Sequence, residues 1–421
     1  MNKIPKNSAK LLSLMIVSLI TLASACTKGK NEKITFSSWG SIDEINILKP
    51  ILADFTKKTG KEVELIHIPD NYFQKLHMMF ASDTAPDVIF MNNFTLPVYA
   101  DSGVLDDLEP MLDKSSKIKK DDFYPQVLEA MKWKGKLYGV PRDISNLLIY
   151  YNKDMFDKYK IAYPKKDWTF EDFLQTSKKL TKDTNGDGKS DTYGFSLDKR
   201  PLFWLPFIWS EGGDLFNKDL NKFTLGDKES VAGLQFYNDL RNKYHVAPDE
   251  KEVGNAKSGQ LFSQEKIGMQ LSGRWSVPTY RTSLKFKWDV IPFPKGKNGS
   301  IVDVDASGWC VSKASDKKES AWQLVEYLAS RDSIKNFSSN GLIVPSRKDV
   351  AQSKDFLDGK TPENSKAFLD ILATGHPTRT TPNWNEISTE IDTGLENIWS
   401  STDSVQTATQ NITKRVDALL K

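Results

Sequence analysis

The stretch DTNGDGKSD, Asp183 to Asp191, sets oxygen-bearing side chains at the spacing a calcium ion uses. Counted from Asp183, positions one, three, five and nine are Asp183, Asn185, Asp187 and Asp191. Position six is Gly188, and position seven, which offers its backbone carbonyl, is Lys189. Position twelve, where an EF-hand carries a bidentate glutamate, is Gly194, so the shell is one carboxylate short. The Gly-Lys-Ser inside the run is no phosphate loop, because the glycine required five places earlier is Asp183. A helix should precede the loop, with Thr169 and Asp172 as a capping box and Phe173, Leu174 and Leu180 apolar, whereas TYGFSL after it reads as a strand. A sensor needs a second helix to open. The expectation is a structural clip at a helix-to-strand corner that would take calcium, against the alternative of a solvated Asn-Gly and Asp-Gly turn. No other cofactor is expected.

Catalytic groupings are scarce. The four histidines, His67, His77, His245 and His376, have no metal-ligand spacing, and no nucleophile elbow occurs. A glycosidase-like carboxylate pair stays open, since any two acids can meet in a fold. Aromatic residues are abundant instead, with 11 Trp, 13 Tyr and 22 Phe. A pyranose offers C–H groups on its flat face and hydroxyls around its edge, so a sugar site needs indole platforms together with carboxylate, amide or guanidinium partners. Tryptophans next to Gly, Pro or Asn at expected loop or strand ends are the candidates: Trp39, Trp209, Trp275, Trp309 and Trp384. Trp204, Trp209 and Trp322 also sit in apolar or helical surroundings where core packing is the default, and Trp322 is assigned to the core.

Something must position these residues outside the cytoplasm. Lys3, Lys6 and Lys10 precede an apolar run from Leu11 to Leu22, too short to span a bilayer but the length of a secretory core. Leu22, Ala23, Ser24 and Ala25 then lead to Cys26, which resembles a lipobox, although Leu22 stands one place earlier than usual. Residues 1–25 read as a signal peptide, Cys26 as the lipidation site, and 26–31 as a polar tether; plain cleavage near Ala25 is the alternative. The chain has 58 basic and 55 acidic residues, and removing the leader's three lysines leaves 55 of each. A neutral mature chain gives no electrostatic reason to propose nucleic acid or a membrane surface as partner. Membrane contact would run through the lipid anchor alone. With Cys26 lipidated, Cys310 lacks a disulfide partner and reads as a small buried hydrophobe between Trp309 and Val311.

The 421 residues are enough for two domains. KITFSSWG alternates as a strand, and Ile45, Leu48, Leu52 and Phe55 line one face of a helix from about 42 to 59, closed by Gly60. KEVELIHI is the next strand, 72–82 the next helix, and PDVIFM a buried strand. The order β, α, β, α, β implies an α/β lobe whose ligands sit beyond the strand C-termini, which puts Trp39, Asn92 and Asn93 at a common rim.

Longer stretches carry a resemblance. PDVIFMNNFTLPVYADSGVLDDLEPML, GKLYGVPRDISNLLIYYNKDMFDKY, EGGDLF, GRWSVP and SGWCVSKASDKKESAWQLVEYLAS, in that order, resemble the extracellular sugar-binding proteins of ABC importers, the family 1, maltose-binding-protein-like group. The resemblance runs from about Lys33 to the C-terminus. It implies a type II periplasmic-binding-protein fold of two α/β lobes, each a mostly parallel sheet flanked by helices, with the sugar in the cleft between them. It places Trp275 where the family has a sugar-stacking tryptophan, Asp143 where it often has a cleft carboxylate, and Gly308 and Trp309 on a cleft wall. Asp143 could equally pair with Arg142, and Arg347, near an expected crossing between lobes, could serve as a hinge ion pair or a ligand contact. The implied lobes are 32–144 plus 292–343 and 145–291 plus 344–421, with crossings near Asp143, Ile291 and Val344. The implied function is a monomeric, non-enzymatic lipoprotein on the extracytoplasmic face of a bacterial membrane. It would capture a sugar or oligosaccharide and deliver it to an ABC permease; a secreted carbohydrate hydrolase and a non-transport adhesin are the alternatives.

Overall fold

A computed structural model describes residues 33–254 and 256–421; the signal peptide, Cys26 and the tether lie outside the described residues. Among the described residues the strands, in chain order, begin with β1 Ile34–Ser38, β2 Val63–His67 and β3 Val88–Asn92. A small hairpin, β4 Lys132–Trp133 and β5 Lys136–Leu137, precedes β6 Val140–Ser145 and β7 Leu148–Asn152. The rest are β8 Met269–Ser272, β9 Trp288–Ile291, β10 Asp305–Val311 and β11 Val344–Pro345.

The first helix forms as its sequence dictates. Ser41 accepts the N–H of Glu44 at the N-cap, Asp43 and Glu44 face the positive end of the helix dipole, and Ile45, Leu48, Ile51, Leu52 and Phe55 supply one buried stripe over Ile42–Thr59. Gly60 ends it in the left-handed region at φ 73°. The Thr169–Asp172 capping box forms as expected and starts the helix Phe170–Leu180.

Six strands make the larger sheet, in the order β11-β6-β10-β3-β1-β2, and three make a smaller one, β8-β7-β9. In the larger sheet β1 runs parallel to both β2 and β3, while β10 is antiparallel to β3 and β6, and β11 is antiparallel to β6. Both pairings in the smaller sheet are antiparallel. The two-sheet α/β architecture therefore matches expectation, whereas the mostly parallel character expected of both lobes holds in neither: only the β2-β1-β3 part of the larger sheet is parallel, and the smaller sheet is wholly antiparallel. There β7 leaves β6 after two residues and is paired on both sides by strands that arrive much later in the chain.

The chain passes between the sheets from β6 to β7 and again from β9 to β10. Val344–Pro345 stay hydrogen-bonded to β6, and the Ser346 hydroxyl donates to the carbonyls of Pro141 and Arg142, so the chain is still held to the larger sheet at the position expected for the third crossing. Helices Pro201–Glu211 and Lys228–Asn242 pack against each other, and the long C-terminal helices Trp384–Trp399 and Val405–Leu419 form a further pair. No helix among the described residues is long and apolar enough to cross a membrane.

Candidate functional site

The residues just beyond the C-terminal ends of β1 and β3 converge with the second half of β6 on one cavity of about 460 Å3. This is within the roughly 300–1,000 Å3 of small-molecule sites. One wall comes from the larger sheet: Trp39, Tyr72, Phe94, Arg142, Asp143 and Asp305 among others. The facing wall comes from Arg200 and Leu202, at the start of helix Pro201–Glu211, and from Arg274 and Trp275 after β8.

Each wall presents one indole. Trp39 lies edge-on to Tyr72 at 5.0 Å and 70°, and tilts over Phe90 at 4.3 Å, so neighbouring rings fix its plane. Trp275 is 38 % exposed, one of few large apolar side chains so open. Its six-membered ring lies directly against Gly273, where any Cβ would fall 2.0 Å from the indole; only a glycine allows that approach. The Tyr150 hydroxyl, donating to the Gly273 carbonyl at 2.7 Å, holds the turn in place.

Polar groups surround the indoles. Arg142 stacks on Phe90 at 4.2 Å and donates to Glu44 at 2.6 Å and to Asp143 at 2.7 and 3.1 Å. Burial acts to lower the Arg142 guanidinium, but the Asp143 and Glu44 carboxylates outweigh it and hold the group charged. The other Asp143 oxygen accepts the Ser307 N–H at 3.1 Å. Asp305 accepts from the Thr378 N–H, the Thr378 hydroxyl and the Asn93 amide at 2.8, 2.6 and 2.7 Å. Burial raises the carboxyl of Asp305, and raises further that of Asp303 two residues before it, where the two acids also repel each other.

Of the expected ligand residues, Trp39, Asn93, Asp143 and Trp275 line this cavity. Asn93 is spent on the wall itself: its amide donates to Asp305 and to the Thr378 carbonyl, and its oxygen accepts the Ala306 N–H. The other five lie elsewhere, each for a physical reason. Trp309 is 1 % exposed in the middle of β10, packed between Phe90 and Phe337. Gly308 admits a neighbouring strand rather than a ligand, since a Cβ there would meet the Val140 carbonyl oxygen at 2.3 Å. Arg347 is buried in ion pairs with Asp122 and Asp349 and does not line the cavity. Trp209 stacks on His376 at 4.7 Å and donates to Asp214, in a buried polar knot that also holds Arg379. Trp384 is buried at the start of its helix, one layer behind Phe94 at 6.3 Å. Trp322 and Cys310 are buried as assigned.

Glu44, Arg142, Arg200, Arg274 and Asp305 are the charged wall residues that sequence reasoning missed. Applying the strand-end rule to the helix that follows Trp39-Gly40 would have reached Glu44; nothing local marks Arg200 or Asp305.

At the clip, Asp183, Asn185, Asp187, Lys189 and Asp191 form one small loop, closed by a bridge between Lys182 and Thr192. The Asp183 carboxylate accepts the Gly188 and Gly186 N–H groups at 2.8 and 2.6 Å, which hold it below the usual carboxylate range. The Asn185 amide donates to Asp187 and Asp191, and the Lys189 N–H donates to Asp187. No group of three or more His, Cys, Asp or Glu among the described residues is gathered closely enough to hold a metal ion. TYGFSL forms no strand; Thr192 and Tyr193 make single bridges, Tyr193 to Ile267, because the neighbouring chain begins its ladder only at Met269.

Comparison with known proteins places this geometry in context. The model of the family described as bacterial extracellular solute-binding protein matches residues 39–335. The chain is 27 % identical to an ABC substrate-binding protein of Listeria monocytogenes solved in complex with cycloalternan, with a TM-score of 0.86 over 92 % of this chain and 98 % of that one. It is 26 % identical to the maltodextrin-binding protein of Bacillus subtilis over 91 % of each chain. It is 24 % identical to the galactooligosaccharide-binding protein of the same organism, over 92 % of this chain and 90 % of that protein.

Proposed function

This chain belongs to the bacterial extracellular solute-binding protein family, and on that premise we propose that it captures a sugar or oligosaccharide between two lobes and delivers it to the permease of an ABC importer. One observation carries the reading: a cavity of about 460 Å3 with an indole on each facing wall, Trp39 and Trp275, and carboxylates between them. Two platforms can take the two faces of a pyranose while acids and amides meet its hydroxyls. Contacts to both walls exist only when the walls are close, so the sugar stabilises the closed arrangement by its differential affinity for it.

The reading is non-enzymatic: Glu44 and Asp143 are both tied to the same Arg142 guanidinium, so neither carboxyl stands free as a general acid or base for a glycosidic bond. Titrating the mature protein with a panel of mono- and oligosaccharides tests it. Saturable change in tryptophan fluorescence, unchanged sugar on recovery and a more compact particle in solution scattering are expected. Cleaved sugar would favour the hydrolase, binding without compaction the adhesin, and no binding across the panel would end the carbohydrate reading.

Three finer points belong to the same proposal. The lobes divide near 144 and 291 as the resemblance implies, with the last crossing falling after Arg347 because Arg347 is tied to Asp122. Cys26 is the lipid anchor that keeps a monomer at the outer face of the membrane; Cys26→Ser should release it into the medium. A calcium ion in the 183–191 loop would draw on the oxygens of Asp183, Asn185, Asp187 and Asp191 and on the Lys189 carbonyl, and would have to turn the Asp183 and Asp187 carboxylates from the loop N–H groups they now accept from. A chelator should then lower the melting temperature, and an unchanged melt would rule the ion out.

A further inference from the structure

Among the described residues three carboxylates line the cavity, and they differ in what already occupies their oxygens. In Asp143, Oδ1 accepts the Ser307 N–H, and Oδ2 accepts Nε and Nη2 of Arg142. In Asp305, Oδ1 accepts the Thr378 N–H and the Asn93 amide, and Oδ2 accepts the Thr378 hydroxyl. Glu44 is different. Its Oε1 accepts Nη1 of Arg142 at 2.6 Å, whereas Oε2 accepts from no group among the described residues. Nor is Oε2 one of the fully buried polar atoms that lack a partner, so it keeps open surface. A Cβ at Gly40, itself a wall residue, would fall 2.4 Å from Oε2, which sets this oxygen at the cavity and not behind it.

A carboxylate oxygen withdrawn from bulk water and left without a donor is under-solvated, and a hydroxyl that donates to it restores what burial removed. Burial raises the Glu44 carboxyl, and the Arg142 guanidinium opposes the rise. The helix that carries Glu44 begins three residues after Trp39, so a ring lying on that indole brings its edge hydroxyls to this part of the wall. We infer that Glu44 selects the sugar: Oε2 accepts one ring hydroxyl, whereas Asp143 and Asp305, whose oxygens already hold protein donors, shape the wall. The inference rests on the carbohydrate reading of the cleft and deepens it, because it names the class of saccharide. The hydroxyl at that position must be free, so a sugar that is methylated, acylated or glycosidically linked there is refused.

The experiment is calorimetry on the mature protein at about pH 8, above the ordinary carboxyl range. The probes are maltose, galactobiose and, where another sugar of the panel binds more tightly, that sugar, each with its monodeoxyfluoro derivatives. Fluorine cannot donate, so the derivative that replaces the recognised hydroxyl should bind about tenfold or more weakly than its parent. Glu44→Gln then identifies the acceptor. Nη1 of Arg142 only donates, so it keeps the new amide's oxygen in the place of Oε1 and leaves the NH2 in the place of Oε2, turning an acceptor into a donor. The parent sugar should weaken by about tenfold or more in this variant, and the same fluoro derivative should lose nothing further. A Glu44 that merely neutralises Arg142 would lower parent and derivatives alike and keep their ratios. That result, or equal affinity across the fluoro series in the wild type, would overturn the inference and leave the carbohydrate reading standing. Should Glu44→Gln fail to fold, Glu44→Asp, one methylene shorter, should still shrink that derivative's penalty, and an unchanged penalty would be equally fatal. Binding of no sugar in the panel would overturn both.

Discussion

Trp275 and Trp309 have the same side chain, each beside a glycine or one residue from it, and the fold uses them in opposite ways. Trp309 sits mid-strand in β10, with β3 on one side and β6 on the other, and helices Lys318–Leu328 and Pro125–Ala130 against it. Every residue of β10 but one is buried, and Trp309 lies past the Asp305–Ser307 end that lines the cavity, so its ring is not available to a ligand. Trp275 comes three residues after β8 ends, in a short 3-10 turn where the sheet has stopped, and its ring is exposed although Arg274 before it is buried. Position relative to the strand end, more than residue type, separates a core indole from a platform.

Breaking this contrast gives the largest expected effect. Trp309→Ala should cost about 3–5 kcal/mol of stability, the usual range for emptying a buried aromatic site, measured by urea unfolding. A loss under about 1 kcal/mol would mean that the β10 centre is far less packed than the structure shows. Trp275→Ala should do the reverse. It should leave the urea midpoint nearly unchanged and weaken sugar binding by about 1–3 kcal/mol, from the lost ring contact and apolar burial. Unchanged affinity would remove Trp275 from the site.

How much of this was legible depends on the range of the interactions involved. The Ile42–Thr59 helix with its Gly60 cap and the Thr169–Asp172 box are read from residues within a few positions of one another. The rim at Trp39 and Asn93 followed from strand order alone. Arg347 could not be assigned locally, because the charge that fixes it, Asp122, lies on a distant segment. The same holds for the small sheet, whose antiparallel directions are set by pairing partners far down the chain. Gly308, expected on a cleft wall, instead admits the neighbouring strand, a contact that only the distant pairing partner reveals.

The contrast extends to acids. Asp143, at the wall, is paired with an arginine, whereas Asp303, fully buried on the segment between β9 and β10, has one oxygen with no partner and only the Ser145 hydroxyl on the other. Burial and the neighbouring Asp305 raise its carboxyl, so between the ordinary carboxyl range and that raised value the native state binds more protons than the unfolded one. Stability should therefore fall as pH rises from about 4 toward neutral. Asp303→Asn removes the titration, and the mutant should gain steadily on the wild type as pH rises across that interval in urea titrations at each pH. A difference independent of pH would show that Asp303 is ionised throughout.

The smallest expected effect tests whether the two walls move. The Thr279 hydroxyl, on the short helix that follows Trp275, donates to the Asp43 carboxylate in the first turn of the Ile42–Thr59 helix. Asp43 is exposed and Thr279 half-buried, so neither side chain contributes much to the core of its own lobe. Their bond joins the opposite walls and exists only when these are together. Thr279→Val should therefore leave the unfolding midpoint alone and weaken sugar affinity about two- to fivefold, the equivalent of roughly 0.5–1 kcal/mol taken from the closed arrangement only. Faster sugar release with unaltered capture would place the effect on reopening. If affinity is unchanged while Trp275→Ala abolishes it, the walls are held together by the ligand's ring contacts and gain nothing from direct bonds between them.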